Sequence, residues 1–317
     1  MFPYANHSWL VLNDKGRLYV EPTGKLNLGM VTDAIWTDYD NDGWEDLLVA
    51  REWNTLVLLK NMQGKSLDPG VTTGLDDHPG FWYSVAAGDF DQDGDDDYIV
   101  GNLGENHRFN ISPEYPLSLY AIDLDMNGVL DPITTGYWEN IEGEMTEYPV
   151  NYLDELWSQS VFFNKYENYA PFSYASFREM VGEALLKRMD FKLQVKNTSS
   201  YILWNNNGAF QWEKLPLPVQ LAPIKKMIVT DFNGDNLPDV LVTGNDHTHD
   251  IATGYYDANK GIVMLNTGKG SFNILSPSQS GFAVQGMVES LLYFKGDTSL
   301  VVAGINRNKV SVFKKKP

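Results

Sequence analysis

The 317-residue chain contains no cysteine. Disulfides, thiolate metal sites and cysteine nucleophiles are therefore excluded, while the compartment is left open. No apolar run reaches the length of about 18 residues that a spanning helix needs, so membrane insertion is not expected. The opening MFPYANHSWL has neither the basic nor the apolar region of an export signal, so such a signal is expected to be missing from this chain. Basic residues are scarce. Twenty-four Lys and Arg face 42 Asp and Glu, for a formal charge of −18 and a pI near 4.6. A phosphate-binding surface needs the reverse balance, so nucleic acid is not an expected partner. What the chain does hold is apolar and aromatic material, at 43% and 13%, enough to bury a sizeable core, and its length suits one large β-domain or two ordinary ones.

The acids are clustered and repeat. Four segments share one spacing: Asp38-x-Asp40-x-Asp42-Gly43-x-x-Asp46, Asp89-x-Asp91-x-Asp93-Gly94-x-x-Asp97, Asp123-x-Asp125-x-Asn127-Gly128-x-x-Asp131 and Asp231-x-Asn233-x-Asp235-Asn236-x-x-Asp239. Each lies between two short apolar runs, such as Ala34-Ile35-Trp36 before the first and Leu47-Leu48-Val49 after it. Runs of this length rich in Val and Ile read as strands, so the unit is strand, acidic loop, strand. The loops start 51, 34 and 108 residues apart. A four-stranded propeller blade takes about 40–50 residues, so the long interval holds two blades, or one blade and an insertion. Helical periodicity places that insertion at about 150–195. Leu153, Leu156, Trp157 and Val161 share one helical face, and Phe177, Met180, Val181, Ala184 and Leu185 another. Ser176 and Glu179 have the spacing of a capping box. These helices are expected to cover a sheet surface.

Degenerate units stand near both ends. Residues 288–294, 299–303 and 310–313 read as strands around a loop with one acid, Asp297. Residues 9–12 and 17–20 read as an outer strand pair. The two ends could complete one blade between them, or belong to a longer array.

Oxygen ligands at positions 1, 3, 5 and 9, with a turn residue at 6, make up most of a calcium loop. Position 7 would add a backbone carbonyl, from Trp44, Asp95, Val129 and Leu237. Position 12 is Val49, Val100, Thr134 and Val242, where an EF-hand has Glu, so these are calcium loops on a β-scaffold. Fourteen Asp side chains would otherwise crowd into four small turns and repel one another. About four Ca²⁺ ions are expected, with magnesium disfavoured by its tighter octahedron.

The four loops resemble the FG-GAP/VCBS repeats of integrin-like β-propellers. The wording around them is similar to bacterial proteins of the cartilage-acidic-protein type, whose repeats accompany an ASPIC/UnbV segment. It includes Gly29-Met-Val-Thr-Asp-Ala-Ile-Trp-Thr-Asp38, Gly80-Phe-Trp-Tyr-Ser-Val-Ala-Ala-Gly-Asp89, Gly101-Asn-Leu-Gly-Glu-Asn106 and Leu217-Pro-Val-Gln-Leu-Ala-Pro-Ile224. The resemblance implies an all-β propeller of about five four-stranded blades over residues 1–317, alone or within a larger propeller. It also implies calcium binding and extracytoplasmic adhesion or recognition, and no settled enzymatic activity.

Because each acidic loop joins first and second strands, the segments after the second strands emerge at the other end. They bring Arg51, Glu52 and Trp53; Asn102, Asn106 and Arg108; Trp138 and Glu139; and His247 and His249. These are candidates for a ligand face, with Trp53 and Trp138 able to stack on a sugar ring or peptide group. His247 and His249 share one side of an extended loop and could meet one transition-metal ion. The leading expectation is a non-enzymatic calcium-binding module for an extracellular protein or glycan. It would be secreted, periplasmic or on the cell surface, since extracellular calcium modules bind too weakly to load in a cytosol. The alternatives are a glycosidase or lyase on the same scaffold, and a purely structural domain of a larger surface protein.

Overall fold

The computed structural model describes residues 4–70, 74–248, 254–296 and 298–314. The chain is mostly β, built from several antiparallel sheets, and divides into two compact units. The larger takes Val31–Asp77, Phe81–Arg108 and Thr198–Pro317; the smaller takes Met1–Met30, His78–Gly80 and Phe109–Asn197.

Four sheets make up the larger unit. Sheet I contains Met30–Thr37, Asp46–Asn54, Val57–Asn61 and Leu67–Asp68, in chain order. Sheet II contains Ser84–Gly88, Asp97–Gly101, Tyr201–Asn206 and Ala209–Lys214. Sheet III contains Ile224–Thr230, Asp239–Gly244, Ile262–Asn266 and Phe272–Leu275. Sheet IV has three strands, Val288–Phe294, Leu300–Ile305 and Ser311–Lys314. Every apolar run expected to flank an acidic loop is a strand.

Side-chain alternation explains why these sheets stack. Tyr98 and Val100 of sheet II are buried with Leu48, Ala50 and Leu58 of sheet I, while Ile99 between them is buried with Val240 and Val242 of sheet III. One strand thus serves two interfaces, because successive side chains leave opposite faces. Leu241 repeats the device, joining sheet III to Val288, Val301 and Ala303 of sheet IV. A strand buried on both faces reads as an unbroken apolar run, hence Tyr-Ile-Val and Val-Leu-Val with no polar alternation.

The strand order departs from the expected succession of blades. Sheet II takes its first two strands from residues 84–101 and its last two from 201–214, so the segment between them interrupts one hairpin. That segment carries the third acidic loop into a sheet of the smaller unit, ordered Met145–Pro149, Asp131–Glu139, Leu117–Ile122, Phe191–Val195. Its final strand returns beside its first, unlike the chain-order path of sheets I to III. The 34-residue interval before loop 3 is too short to complete a four-stranded unit, which is the physical trace of this break.

Helices in the smaller unit cover that sheet, as expected. Leu153, Leu156, Phe163, Phe172, Phe177, Met180 and Val181 pack with Tyr120, Ile122 and Ile133. The capping box holds: Ser176 N donates to Glu179 Oε2 at 2.9 Å, and Glu179 N to Ser176 Oγ at 3.3 Å. Two face assignments do not hold. Helix Leu153–Gln159 ends before Val161, which is 65% exposed in a 3₁₀ turn. Gly182, at φ +79°, separates helix Phe177–Val181 from Glu183–Leu186 and turns Ala184 to the surface. At the N-terminal side, Ser8–Asp14 and Arg17–Leu26 form a two-stranded sheet of their own.

Candidate metal-binding loops

Each acidic loop is closed by its own carboxylates. Asp38 accepts the N–H groups of Asp42 and Gly43 at 3.0 and 2.8 Å. Asp123 accepts those of Asn127 and Gly128, and Asp231 those of Gly234 and Asn236. Position 5 accepts from the N–H of position 7 in all four loops, at 2.7–3.0 Å. The backbone enters the left-handed region twice per loop. Position 6 does so as expected, at Gly43, Gly94, Gly128 and Asn236. Position 4 does so too, at Asn41, Gln92, Met126 and Gly234, which the spacing did not reveal. Loop 4 simply exchanges the two, with Gly at 4 and Asn at 6.

In loops 1 to 3 the turn gathers carboxylates. Ligand atoms of Asp38, Asp40 and Asp42 lie within 4.8 Å of one another, as do those of Asp89, Asp91 and Asp97, and of Asp123, Asp125 and Asp131. Loop 4 has Asn233 at position 3, and its Nδ2 donates to Asp235 Oδ2 at 2.8 Å. Among the described residues no three acidic side chains of loop 4 come as close.

Loops 1 and 2 both hold buried carboxylate oxygens without a hydrogen-bond partner, Asp40 Oδ1 and Asp46 Oδ2 in loop 1 and one in loop 2. In loop 2 the atom is Asp89 Oδ1. Asp97 is 1% exposed, and burial pushes its carboxyl up to about 7, with N–H bonds from Asn205 and Phe90 pulling the other way and the Asp91 charge adding to the rise. Asp91 is raised as well, first by burial. A divalent ion among these oxygens would satisfy the orphaned atom and offset the repulsion.

Position 9 has a second task that the sequence reading missed. Asp46, Asp97, Asp131 and Asp239 are all buried, and burial raises each carboxyl. Three of them accept the backbone N–H of an Asn at the last or next-to-last position of the third strand: Asn61 onto Asp46 at 2.6 Å, Asn205 onto Asp97 at 2.9 Å and Asn266 onto Asp239 at 2.8 Å. The Asn side chains complete the clamp. Each Oδ1 accepts from a turn glycine, Gly64, Gly208 or Gly268. Asn205 Nδ2 donates to Tyr39 O in loop 1, and Asn266 Nδ2 to Phe90 O in loop 2, tying each sheet to the one before it. A signal existed: Leu58-Leu59-Lys60-Asn61, Ile202-Leu203-Trp204-Asn205 and Val263-Met264-Leu265-Asn266 are one pattern. Asp95, expected as a carbonyl donor, also binds through its side chain, to Asn41 Nδ2 at 2.5 Å and Asn207 N at 3.0 Å.

The candidate ligand-face residues divide. Trp138 and Glu139 belong to the smaller unit, where the Trp138 ring covers Gly136. The rest belong to the larger unit. Asn102 is fully buried and structural, accepting from Phe81 N and Leu103 N. Arg51 is turned onto Thr55, donating to its carbonyl at 2.8 Å. Trp53 sits at φ +57° with its ring edge-on to Phe81, 4.9 Å between centroids. Asn106 is exposed and donates to Leu221 O; Arg108 is exposed. His247 stacks on Tyr255 at 4.4 Å, whereas His249 and Asp250 lie outside the described residues, as does Asp297. Tyr83 joins the group unforeseen. Burial raises its hydroxyl well above the usual range, and Glu52 and Asp246 add to the rise. Lys225 lies 5.2 Å from the Tyr83 ring and pairs with Asp246 at 2.5 Å.

Residues 38–100, from the start of loop 1 through loop 2 into the strand that follows it, match the FG-GAP-like repeat model. The chain therefore carries an FG-GAP-like repeat. It is also similar to a UPF0276 protein of Acaryochloris marina, 26% identical over 126 residues, which is 38% of this chain and 45% of the relative. The match thus spans less than half the length of that relative.

Proposed function

We propose that the chain is a calcium-binding recognition module whose sheets I to IV act as propeller blades. The orphaned, buried Asp89 Oδ1, facing Asp91 and Asp97 in loop 2, carries the reading. Calcium suits the set because it accepts many oxygens in flexible geometry, while magnesium keeps its water and demands a tighter octahedron. The role is structural: the ion joins the first and second strands of a sheet at their shared turn. Loops 2 and 3 are the leading sites. Extracellular calcium modules bind at about 10⁻⁴–10⁻³ M, which supports a secreted, periplasmic or surface position.

Recognition of a protein or glycan is assigned to the far ends of the second strands, around Trp53, Tyr83 and Arg108. Trp53 supports this. A tryptophan held at positive φ costs about 1–2 kcal/mol, a strain that tends to gather at binding sites. Turnover is not favoured, because Glu52 is engaged by Tyr83, and Asp246 by Lys225 and Thr248.

Thermal unfolding in millimolar Ca²⁺ and then in EDTA tests the metal reading. Each site at 100 times Kd contributes about 2.7 kcal/mol, so a rise of several degrees is expected. Asp89→Asn with Asp91→Asn should remove much of it. An unchanged midpoint in calcium overturns the proposal. For recognition, Trp53→Ala should abolish binding on a glycan or matrix-protein array, with the calcium response preserved.

A further inference from the structure

Loop 1 differs from the others in one respect: a cation of the protein's own lies inside it. The Lys60 ammonium pairs with Asp40 Oδ2 and, at 2.9 Å, with Asp42 Oδ2, the side chains of positions 3 and 5. The three side chains are only 22–33% exposed, and the ammonium also lies 5.5 Å from the Tyr39 ring. Among the described residues no Lys or Arg pairs with a carboxylate of loops 2, 3 or 4. The cause is one position in the repeat. The residue before the clamping asparagine is Lys60 in sheet I, Trp204 in sheet II and Leu265 in sheet III. Only the first can reach back with charge, from the third strand onto the turn between the first two.

Resting on the calcium reading above, we infer that Lys60 is the resident cation of loop 1. It holds the carboxylates of positions 3 and 5 together in the way a divalent ion would hold those of positions 1, 3 and 9 in loops 2 and 3. Loop 1 then stays closed in low calcium, and an ion entering it must first displace the ammonium. The consequence is a split in affinity among loops that share one acidic spacing. Loops 2 and 3 load first, and loop 1 last or not at all. Removing the ammonium leaves Asp38, Asp40, Asp42 and Asp46 with no internal counterion, so Lys60→Met turns loop 1 into an ordinary site.

Trp44 makes this loop separately visible. It occupies position 7 of loop 1, where the other loops have Asp95, Val129 and Leu237. Tb³⁺ bound in loop 1 would be sensitised by tryptophan excitation through Trp44. The experiment titrates Tb³⁺ into the full chain and into Lys60→Met, with Trp44→Phe in each background, and counts bound Ca²⁺ by equilibrium dialysis. The expected result is one further Ca²⁺ in Lys60→Met, with loop 1 affinity raised by about tenfold. A sensitised signal should appear with it and vanish in Trp44→Phe. Equal stoichiometry and equal Trp44-dependent emission in the two proteins would overturn the role of Lys60 while leaving calcium binding intact. No bound ion in either protein would instead overturn the calcium reading. Lys60→Gln serves as the second variant should Lys60→Met fold poorly, and the same outcomes apply to it.

Discussion

Loops 2 and 3 share Asp at positions 1, 3 and 9 and Gly at position 6, yet the two units of the molecule hold them differently. In the larger unit, Asp97 accepts one N–H from within its loop, Phe90, and another from Asn205, 108 residues further along the chain. In the smaller unit, Asp131 accepts Leu124 N at 2.9 Å and the Ser160 hydroxyl, and among the described residues no asparagine takes the place of Asn205. The third strand of the inserted sheet, Met145–Pro149, still pairs with the second, but it ends opposite Thr135, short of Asp131, and the last strand lies beside the first instead of completing a hairpin with it. The acidic turn is therefore a local module, able to close on either scaffold. The asparagine clamp belongs to the chain-order sheets alone, and it converts a turn into a joint between successive sheets.

Removing the shared residue should separate the two regions most strongly. Asp97→Ala leaves two buried N–H groups without acceptors and is expected to cost about 3–5 kcal/mol in urea unfolding. Asp131→Ala leaves one such N–H, that of Leu124, and a Ser160 hydroxyl that can turn to Asp125 instead, and should cost about 1–3 kcal/mol. Equal losses would erase the distinction drawn here.

The clamp itself can be cut next. Asn205→Ala removes bonds to Tyr39 O, Asp96 O and Gly208 N, and Asn266→Ala those to Phe90 O and Gly268 N. About 2–3 kcal/mol is expected for each, read by denaturant midpoint. Asn127→Ala in loop 3 removes one local bond, to Val129 N, and should cost nearer 1 kcal/mol.

The smallest effects concern the turn that the units share. Met126 and Gln92 occupy position 4 at φ +60° and +65°. Replacing either with Gly should stabilise by about 0.5–1 kcal/mol, since a side chain in the left-handed region is strained. Gly234→Ala in loop 4 should do the opposite by a similar amount. Melting temperatures of the three variants suffice, and a gain confined to one unit would show that the loops are not the same module.

Much of this was legible in the residues. The four turns, their flanking strands, the glycine of position 6 and the Ser176 capping box are all local, and short-range spacing encodes them. The insertion was legible only in part. Helical periodicity marked residues from 153 onward, but the break in sheet II begins directly after Gly101, where the chain still reads as strand and loop. The recurrence of an asparagine after Leu-Leu-Lys, Ile-Leu-Trp and Met-Leu would have identified Tyr201–Asn206 as the missing third strand. A single Asn in a polar-rich sequence gives no such sign by itself.

The sequence by itself determined the acidic turns and the alternation that lets one strand serve two cores, because both depend on neighbours within a few residues. Which strand lies beside which was decided by tertiary structure, since the pairing across a hairpin interrupted by about a hundred residues does not depend on neighbours within a few residues. The same holds for the charge inside loop 1. Nothing in the spacing of Asp40 and Asp42 foretells Lys60, which reaches them only once the third strand has been laid down.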